Sequence, residues 1–343
     1  MTGFHFYTSA EIQAMVARRA HERKLGESLA PFPEERWQTA LPLSGARFVL
    51  LGLPEDIGVR ANGGIGGAAT AWQPFLKSFL NLQETDRLSG KHFILLGHLD
   101  IKEQKPALEE ADMQALRQET GKIDDYVFPV IRDIIAAGKI PVVIGGGHNN
   151  AFPLLKGASL AMKRPVNAIN LDAHADFRVP EGRHSGNGFR YAYEAGFLEK
   201  YALPALHEGY NNQEMCAALT ANPDMKVGFW EDVFLRKKHR WEDMLCGCLQ
   251  HVDGSPFGVE LDVDCIQGGL SSAATPVGFE TREAAEYLYA CGQREHALYL
   301  HLPEGISERN DGLTDAFTGK LLSYLVQAFA KGVLERDRSP VAA

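Results

Sequence analysis

A chain of 343 residues is long for one average domain but within the reach of a single large α/β core. With 45% hydrophobic and 23% charged residues it has enough apolar material to bury such a core, so disorder cannot dominate it. A net charge of −9 excludes a nucleic-acid backbone or an anionic membrane surface as the main partner, because neither attracts an acidic protein, and leaves a small molecule.

The first element is signalled by Thr8-Ser9-Ala10-Glu11, a capping box that predicts an amphipathic helix through about Lys24. Glu11 and Glu22 argue against a mitochondrial presequence, and no apolar run approaches the ~18 residues of a membrane span. Residues 1–45 therefore read as an N-terminal helical extension, closed by a connector with Pro31 and Pro33. From there to residue 333, short apolar runs alternate with longer stretches of helical period, the signature of a parallel sheet covered by helices. Strands are predicted at Arg47–Leu53, His92–Gly97, Ile140–Ile144, Val166–Leu171, Lys226–Trp230, Phe257–Val263 and Ala297–Leu302, with helices such as Asp112–Ala137 and Thr281–Gly292. No linker divides residues 46–333, which reads as one catalytic domain, and 334–343 read as a flexible tail. The cysteines, 216, 246, 248, 265 and 291, have neither zinc nor disulfide spacing, and Cys246 and Cys248 read as buried thiols. A reducing, cytoplasmic setting follows.

In such a sheet ligands collect beyond the carboxyl ends of the strands. Ile140–Ile144 runs into Gly145-Gly146-Gly147-His148, an imidazole on a backbone free to turn. Val166–Leu171 runs into Asp172-Ala173-His174-Ala175-Asp176, whose three ionisable residues alternate and, in extended chain, would face one way. Phe257–Leu261 runs into Asp262-Val263-Asp264. Burying this set would be costly without compensating cations. Two imidazoles and four carboxylates are too many for one tetrahedral zinc, and their oxygen bias suits two Mn²⁺ ions, with Fe²⁺, Co²⁺ or Ni²⁺ as alternatives.

The order and spacing of G-G-G-H, D-A-H-x-D and D-x-D resemble the ureohydrolase superfamily of arginase, agmatinase and formimidoylglutamase, over about residues 47–332. The resemblance implies a three-layer α/β/α sandwich with a mainly parallel sheet, in trimers or hexamers. It implies that His148 and Asp176 hold one Mn²⁺ and His174 and Asp264 the other, with Asp172 and Asp262 bridging. It also implies that Asp176 passes a proton to the departing nitrogen. Glu304, in Leu300-His301-Leu302-Pro303-Glu304, stands where the family carries the glutamate that faces the cationic amidine or guanidine.

Departures narrow the substrate. Arg178 follows Asp176-Phe177 where arginases have asparagine, and its planar fork suits a carboxylate rather than a cationic end. An arginine there is similar to formimidoylglutamases, so the expected reaction is N-formimidoyl-L-glutamate plus water to L-glutamate and formamide, a step of histidine degradation. Ser185 and Asn187, in Arg183-His184-Ser185-Gly186-Asn187, are expected at the substrate. Phe189 stands where arginase has its proton-shuttling histidine, which His184 is a candidate to replace. Arg60, in the glycine-rich loop 58–67, is a second candidate carboxylate binder. Glu260 replaces the usual serine before D-x-D, Cys265-Ile266-Gln267 lacks the usual D-P, and Asn149-Asn150 follows the histidine where relatives often carry an acid or serine. Two other readings remain: a hydrolase releasing urea from arginine, agmatine or another guanidino compound, and a family member that binds metal without turnover.

Overall fold

The computed structural model describes residues 3–31, 36–101, 108 and 110–338. Its strands are β1 (Phe4–His5), β2 (Ala30–Pro31), β3 (Phe48–Gly52), β4 (Phe93–Leu99), β5 (Ile140–Ile144), β6 (Val166–Leu171), β7 (Leu198–Leu206), β8 (Met225–Phe229), β9 (Phe257–Leu261) and β10 (Ala297–Leu302). They form one ten-stranded sheet in the order β1-β4-β3-β5-β10-β9-β6-β7-β8, with β2 pairing β4 off this path. Every pairing is parallel except β1 with β4 at the edge.

The near-continuous apolar runs of the central strands have a direct cause, since both faces of the sheet are covered. Ile140, Val142 and Ile144 face a core shared with the helices Trp72–Leu80, Trp241–Val252, Thr281–Gly292 and Thr318–Arg338. Val143 faces the opposite core, built with Met113–Ala136, Ala151–Met162 and Gly188–Glu194. This is the expected three-layer sandwich.

Four expectations need correction. The N-terminal helix does start at the Thr8 capping box but covers only Ser9–Met15. The segment after it feeds the sheet and the core instead, with Leu25 and Leu29 packed beside Phe79 and Phe93, so residues 1–45 are more than a helical appendage. Residues 334–338 belong to the helix Thr318–Arg338, whose period buries Phe329, Ala330 and Val333, while 339–343 lie outside the described residues. Strand β7 was not predicted, because Glu199, Lys200 and Pro204 break its apolar run. The register with β8 shifts between Leu203 and Leu206, where the proline's missing N–H is accommodated. Finally, Cys248 is buried but Cys246 is exposed.

Candidate metal centre and active site

The four loops singled out by the sequence follow β5, β10, β9 and β6, which are consecutive neighbours in the middle of the sheet. Leu171 pairs with Leu261 in register, so Asp172 and Asp262 leave the sheet side by side, and Asp262 N donates to Leu171 O at 3.0 Å. Leu302 pairs with Ile144, which brings the Glu304 turn against the glycine loop, with Glu304 N donating to Gly146 O at 2.9 Å.

The convergence does not come from strand alternation, as the sequence suggested. β6 ends at Leu171, and Asp172 then accepts the His174 N–H at 2.7 Å, tightening the turn. Likewise β9 ends at Leu261, and Asp262 caps a 3₁₀ turn over Val263–Cys265, accepting the Asp264 N–H at 2.7 Å. Asp176 and Glu304 both adopt left-handed backbone, with φ of 47° and 62°, a costly conformation for such residues that surrounding contacts must enforce. In the glycine loop, Gly146 has φ of 77°, and a Cβ there would sit 2.4 Å from Asn150 Nδ2.

Beneath this loop lies a residue the sequence reading passed over. The fully buried Glu55 carboxylate accepts the N–H groups of Ile57 at 2.8 Å and Gly147 at 3.1 Å, together with the side-chain amides of Asn149 at 3.2 Å and Asn150 at 2.6 Å. Asn149 and Asn150, noted only as departures, are thus the donors that satisfy a buried acid.

At the centre, His148 Nδ1 lies 2.9 Å from Asp176 Oδ2, 2.9 Å from Asp262 Oδ2 and 3.2 Å from Asp172 Oδ2. Ligand atoms of these four residues all fall within 4.8 Å of one another. His174 extends the group, its Nδ1 lying 3.5 Å from Asp172 Oδ1 and 3.6 Å from Asp264 Oδ2. None of the contacts to His148 Nδ1 is aligned as a hydrogen bond, and Asp264 Oδ1 is also buried without a partner. A buried imidazole nitrogen and several carboxylate oxygens aimed at common points, but not at one another's protons, fit divalent cations.

Electrostatics agree. Burial drives the Asp262 carboxyl well above its ordinary range, reinforced by Asp264 and Asp172, while burial and Asp172 raise Asp176. Burial alone would lower His174, but Asp172, Asp264 and Asp176 hold its imidazole up at about 10. Without cations the cluster must retain protons to be tolerated.

A cavity of 580 Å³ opens onto this cluster, lined by His174, Asp176 and the buried Asp262, Asp264 and Glu304, and by Asn62, Ser185 and the half-exposed Arg178. Glu304 Oε1 accepts the His148 N–H at 3.0 Å, and its buried Oε2 has no partner. Arg178, about half exposed, is steered by Asn62 Oδ1 at 3.0 Å and Glu181 Oε1 at 2.6 Å. Ser185 Oγ accepts from Asn62 Nδ2 at 3.3 Å.

Three sequence candidates stand apart from this cavity. His184 is fully buried; its Nδ1 accepts the Gly186 N–H at 3.1 Å, and burial, then Arg178 and Arg117, hold it down at about 4, which suits a neutral structural acceptor. Asn187 is spent on Arg183 at 2.9 Å and Gly182 O at 2.8 Å. Arg60 donates to Leu108 O at 2.6 Å. Conversely, Tyr210 and Asn211 line the cavity from the loop after β7, and the Tyr210 ring stacks on His174 at 5.6 Å. They were missed because β7 was missed, and with it the rule that loops beyond strand ends carry the ligand contacts.

The layered sheet and the carboxylate–imidazole cluster beyond its central strands define an α/β protein with a candidate centre for divalent metal. A family model described as the Arginase family matches residues 46–303, and the chain belongs to that family. Among curated relatives, the formimidoylglutamase of Chromobacterium violaceum is 32% identical over 160 residues, covering 45% of this chain and 46% of that one. That of Rhodococcus jostii is 29% identical over 255 residues, covering 70% and 74%. The match thus spans about half the length of the first relative and about three quarters of the second. The crystal structure of Trypanosoma cruzi formiminoglutamase with Mn²⁺ superposes with a TM-score of 0.69 at 21% identity, over 92% of this chain and 99% of that one, a likeness of fold. Among the described residues no helix is long and apolar enough to cross a membrane.

Proposed function

We propose that the chain hydrolyses N-formimidoyl-L-glutamate to L-glutamate and formamide in a centre that holds two Mn²⁺ ions. The observation that carries this reading is the arrangement of one cavity, lined by the buried carboxylates of Asp262, Asp264 and Glu304, the last with an unpartnered oxygen, and by the half-exposed Arg178 guanidinium. A ligand that is cationic at one end and anionic at the other matches that polarity. The names of the relatives support the same choice.

His148, Asp172, His174, Asp176, Asp262 and Asp264 would hold the two ions. When bound, such a pair activates water near neutral pH and offsets charge developing on carbon. The chain's own residues do the rest. Glu304 Oε2 receives the amidinium N–H groups and fixes the plane of the carbon under attack. Asp176, held close to the cluster by its left-handed backbone, orients the attacking water's proton and passes it to the departing α-nitrogen of glutamate. Arg178, with Ser185 beside it, binds a glutamate carboxylate.

The test is an assay of the Mn²⁺-reconstituted protein with N-formimidoyl-L-glutamate, arginine and agmatine, following glutamate and urea separately and using Asp262→Asn as the blank. Glutamate release that disappears in the variant establishes the reading. Urea release, or metal-loaded protein that leaves the formimidoyl substrate intact, rejects it.

A further inference from the structure

Behind His148, on the side away from the three aspartates, lies a second buried cluster, comprising Glu260, Tyr299 and His301, all fully buried. Its members come from adjacent strands with matched register: Tyr299 pairs with Gly258 and His301 with Glu260. Residues two apart on a strand share a face, so Tyr299 and His301 of β10 meet Gly258 and Glu260 of β9 on the same side of the sheet. Gly258 is required there, because a Cβ would stand 2.2 Å from Tyr299 Cζ and 2.3 Å from its Oη. The space left by glycine is the space the phenol needs to reach Glu260.

The hydrogen bonds define what the cluster does. Tyr299 Oη donates to Glu260 Oε1 at 2.7 Å, and His301 Nδ1 lies 2.7 Å from Glu260 Oε2. His301 Nε2 is buried without a partner, so a neutral ring with its proton on Nδ1 satisfies the pair. The same Oε2 lies 3.4 Å from His148 Nε2, a close approach that is not aligned as a hydrogen bond, so Nε2 is buried without a partner of its own. Meanwhile the Phe189 ring meets the His148 ring edge to face at 5.1 Å and limits its rotation. His148 is therefore set between a fixed carboxylate on its Nε2 side and the three aspartates on its Nδ1 side.

We infer that Glu260, fixed by Tyr299 and His301 beside the unpartnered Nε2 of His148, is a positioning residue whose carboxylate would accept a hydrogen bond from Nε2 when metal is bound and so keep the Nδ1 lone pair towards the metal centre. A carboxylate behind a metal-ligating imidazole sets its tautomer and raises its basicity, and losing such a partner typically costs ~10–100-fold in metal affinity. The serine the sequence pattern leads one to expect at position 260 is too short for this reach, which gives the glutamate and its two donors a purpose at that position.

This inference rests on the metal centre proposed above, and the experiment separates the two. Wild type, Glu260→Gln and Tyr299→Phe are titrated with Mn²⁺ by calorimetry and electron paramagnetic resonance. Zinc-loaded, ¹⁵N-histidine-labelled samples are then used to locate the His148 Nε2 proton by NMR. Two ions in wild type, one of them weakened ~10–100-fold in Glu260→Gln, with the slowly exchanging, downfield Nε2 proton of His148 lost or shifted upfield, support the inference. Tyr299→Phe touches no aspartate of the cluster and weakens the same ion by a smaller factor; it decides the question if Glu260→Gln does not fold. Unchanged affinity and an unchanged Nε2 proton in a folded variant overturn the inference while leaving the metal centre intact. So does a third equivalent of metal lost with Glu260, since Glu260 would then be a ligand. Wild type that takes up no divalent cation overturns the proposed centre and this inference together.

Discussion

The backbone N–H of His148 donates to Glu304 Oε1 at 3.0 Å, joining two residues 156 positions apart in sequence. One oxygen of the carboxylate is thereby used to hold its own orientation, and the other, Oε2, is buried without a partner in a residue that lines the cavity. Glu304→Gln is expected to keep the fold and the bound metal but to lower kcat/KM by about 10²–10³-fold, the loss of one or two charge-assisted hydrogen bonds to a cationic amidine. Steady-state kinetics beside metal analysis checks it. A variant with wild-type kcat/KM would remove Glu304 from the site.

Divalent metal should stabilise the protein. Six ionisable ligands are crowded together with protons held where burial disfavours charge, and a cation relieves that only in the folded state. Mn²⁺ at about 100 times its dissociation constant contributes about 2.7 kcal/mol, enough to raise the melting temperature by a few degrees in a chain of this size. Differential scanning calorimetry with chelator and with Mn²⁺ reads the shift. Asp172→Asn should abolish it, and an equal shift in that variant would show that the metal binds elsewhere.

Arg178, which lines the cavity, is shared between Asn62 and Glu181. Replacing Arg178 by alanine should raise KM for the formimidoyl substrate by about 10–100-fold while leaving kcat within about threefold, because a charged contact far from the scissile bond serves binding in ground and transition states alike. Glu181→Gln removes a competitor for the guanidinium and should lower KM. If both variants leave KM unchanged, another group binds the carboxylate.

His184 sets an acid limit to stability. Burial, with Arg178 and Arg117 nearby, holds its folded pKa down at about 4, against an ordinary value of 6.5. With the folded value depressed, the unfolded chain takes up the proton first, so stability is lost as pH falls from about 6.5 towards 4 and is regained on the way back. At about 1.4 kcal/mol per unit the total is at most about 3.5 kcal/mol. Urea unfolding of metal-free wild type and His184→Asn at pH 7, 5.5 and 4.5 should show the variant losing less stability on acidification. Parallel losses would assign the acid limit to other groups.

The sequence made most of the sheet legible, because strands buried on both faces leave unbroken runs such as Pro141-Val142-Val143-Ile144, and the glycines and acids that follow them mark the strand ends. It did not reveal β7, where Pro204 and two charged residues break the pattern, nor therefore Tyr210 and Asn211. The short N-terminal helix was overextended because the helical period alone does not say where tertiary pairing with β4 takes over. At the site, residue types at strand ends located the cluster, but His184, Asn187 and Arg60 were placed by proximity in sequence to it, and each is directed elsewhere by a specific hydrogen bond. Glu260 was visible only as an oddity. Its meaning depends on register with Tyr299 and His301, which no local pattern encodes.

The position of β10 has a consequence for how the chain matures. It is the last strand in sequence, yet it lies between β5 and β9 in the middle of the sheet. During synthesis, the N-terminal strands through β5 and the later group β6 to β9 must therefore wait as two half-sheets with their inner edges open until residue 302 has left the ribosome. Such long-range parallel closure is slow and leaves unpaired edges exposed in the interim. Because His148 lies on one side of that seam and the aspartates on the other, no truncated or half-docked chain can assemble the cluster. With the metal centre proposed above, competence to capture metal would report that the whole sheet has closed, and a manganese pulse during refolding would time that last step.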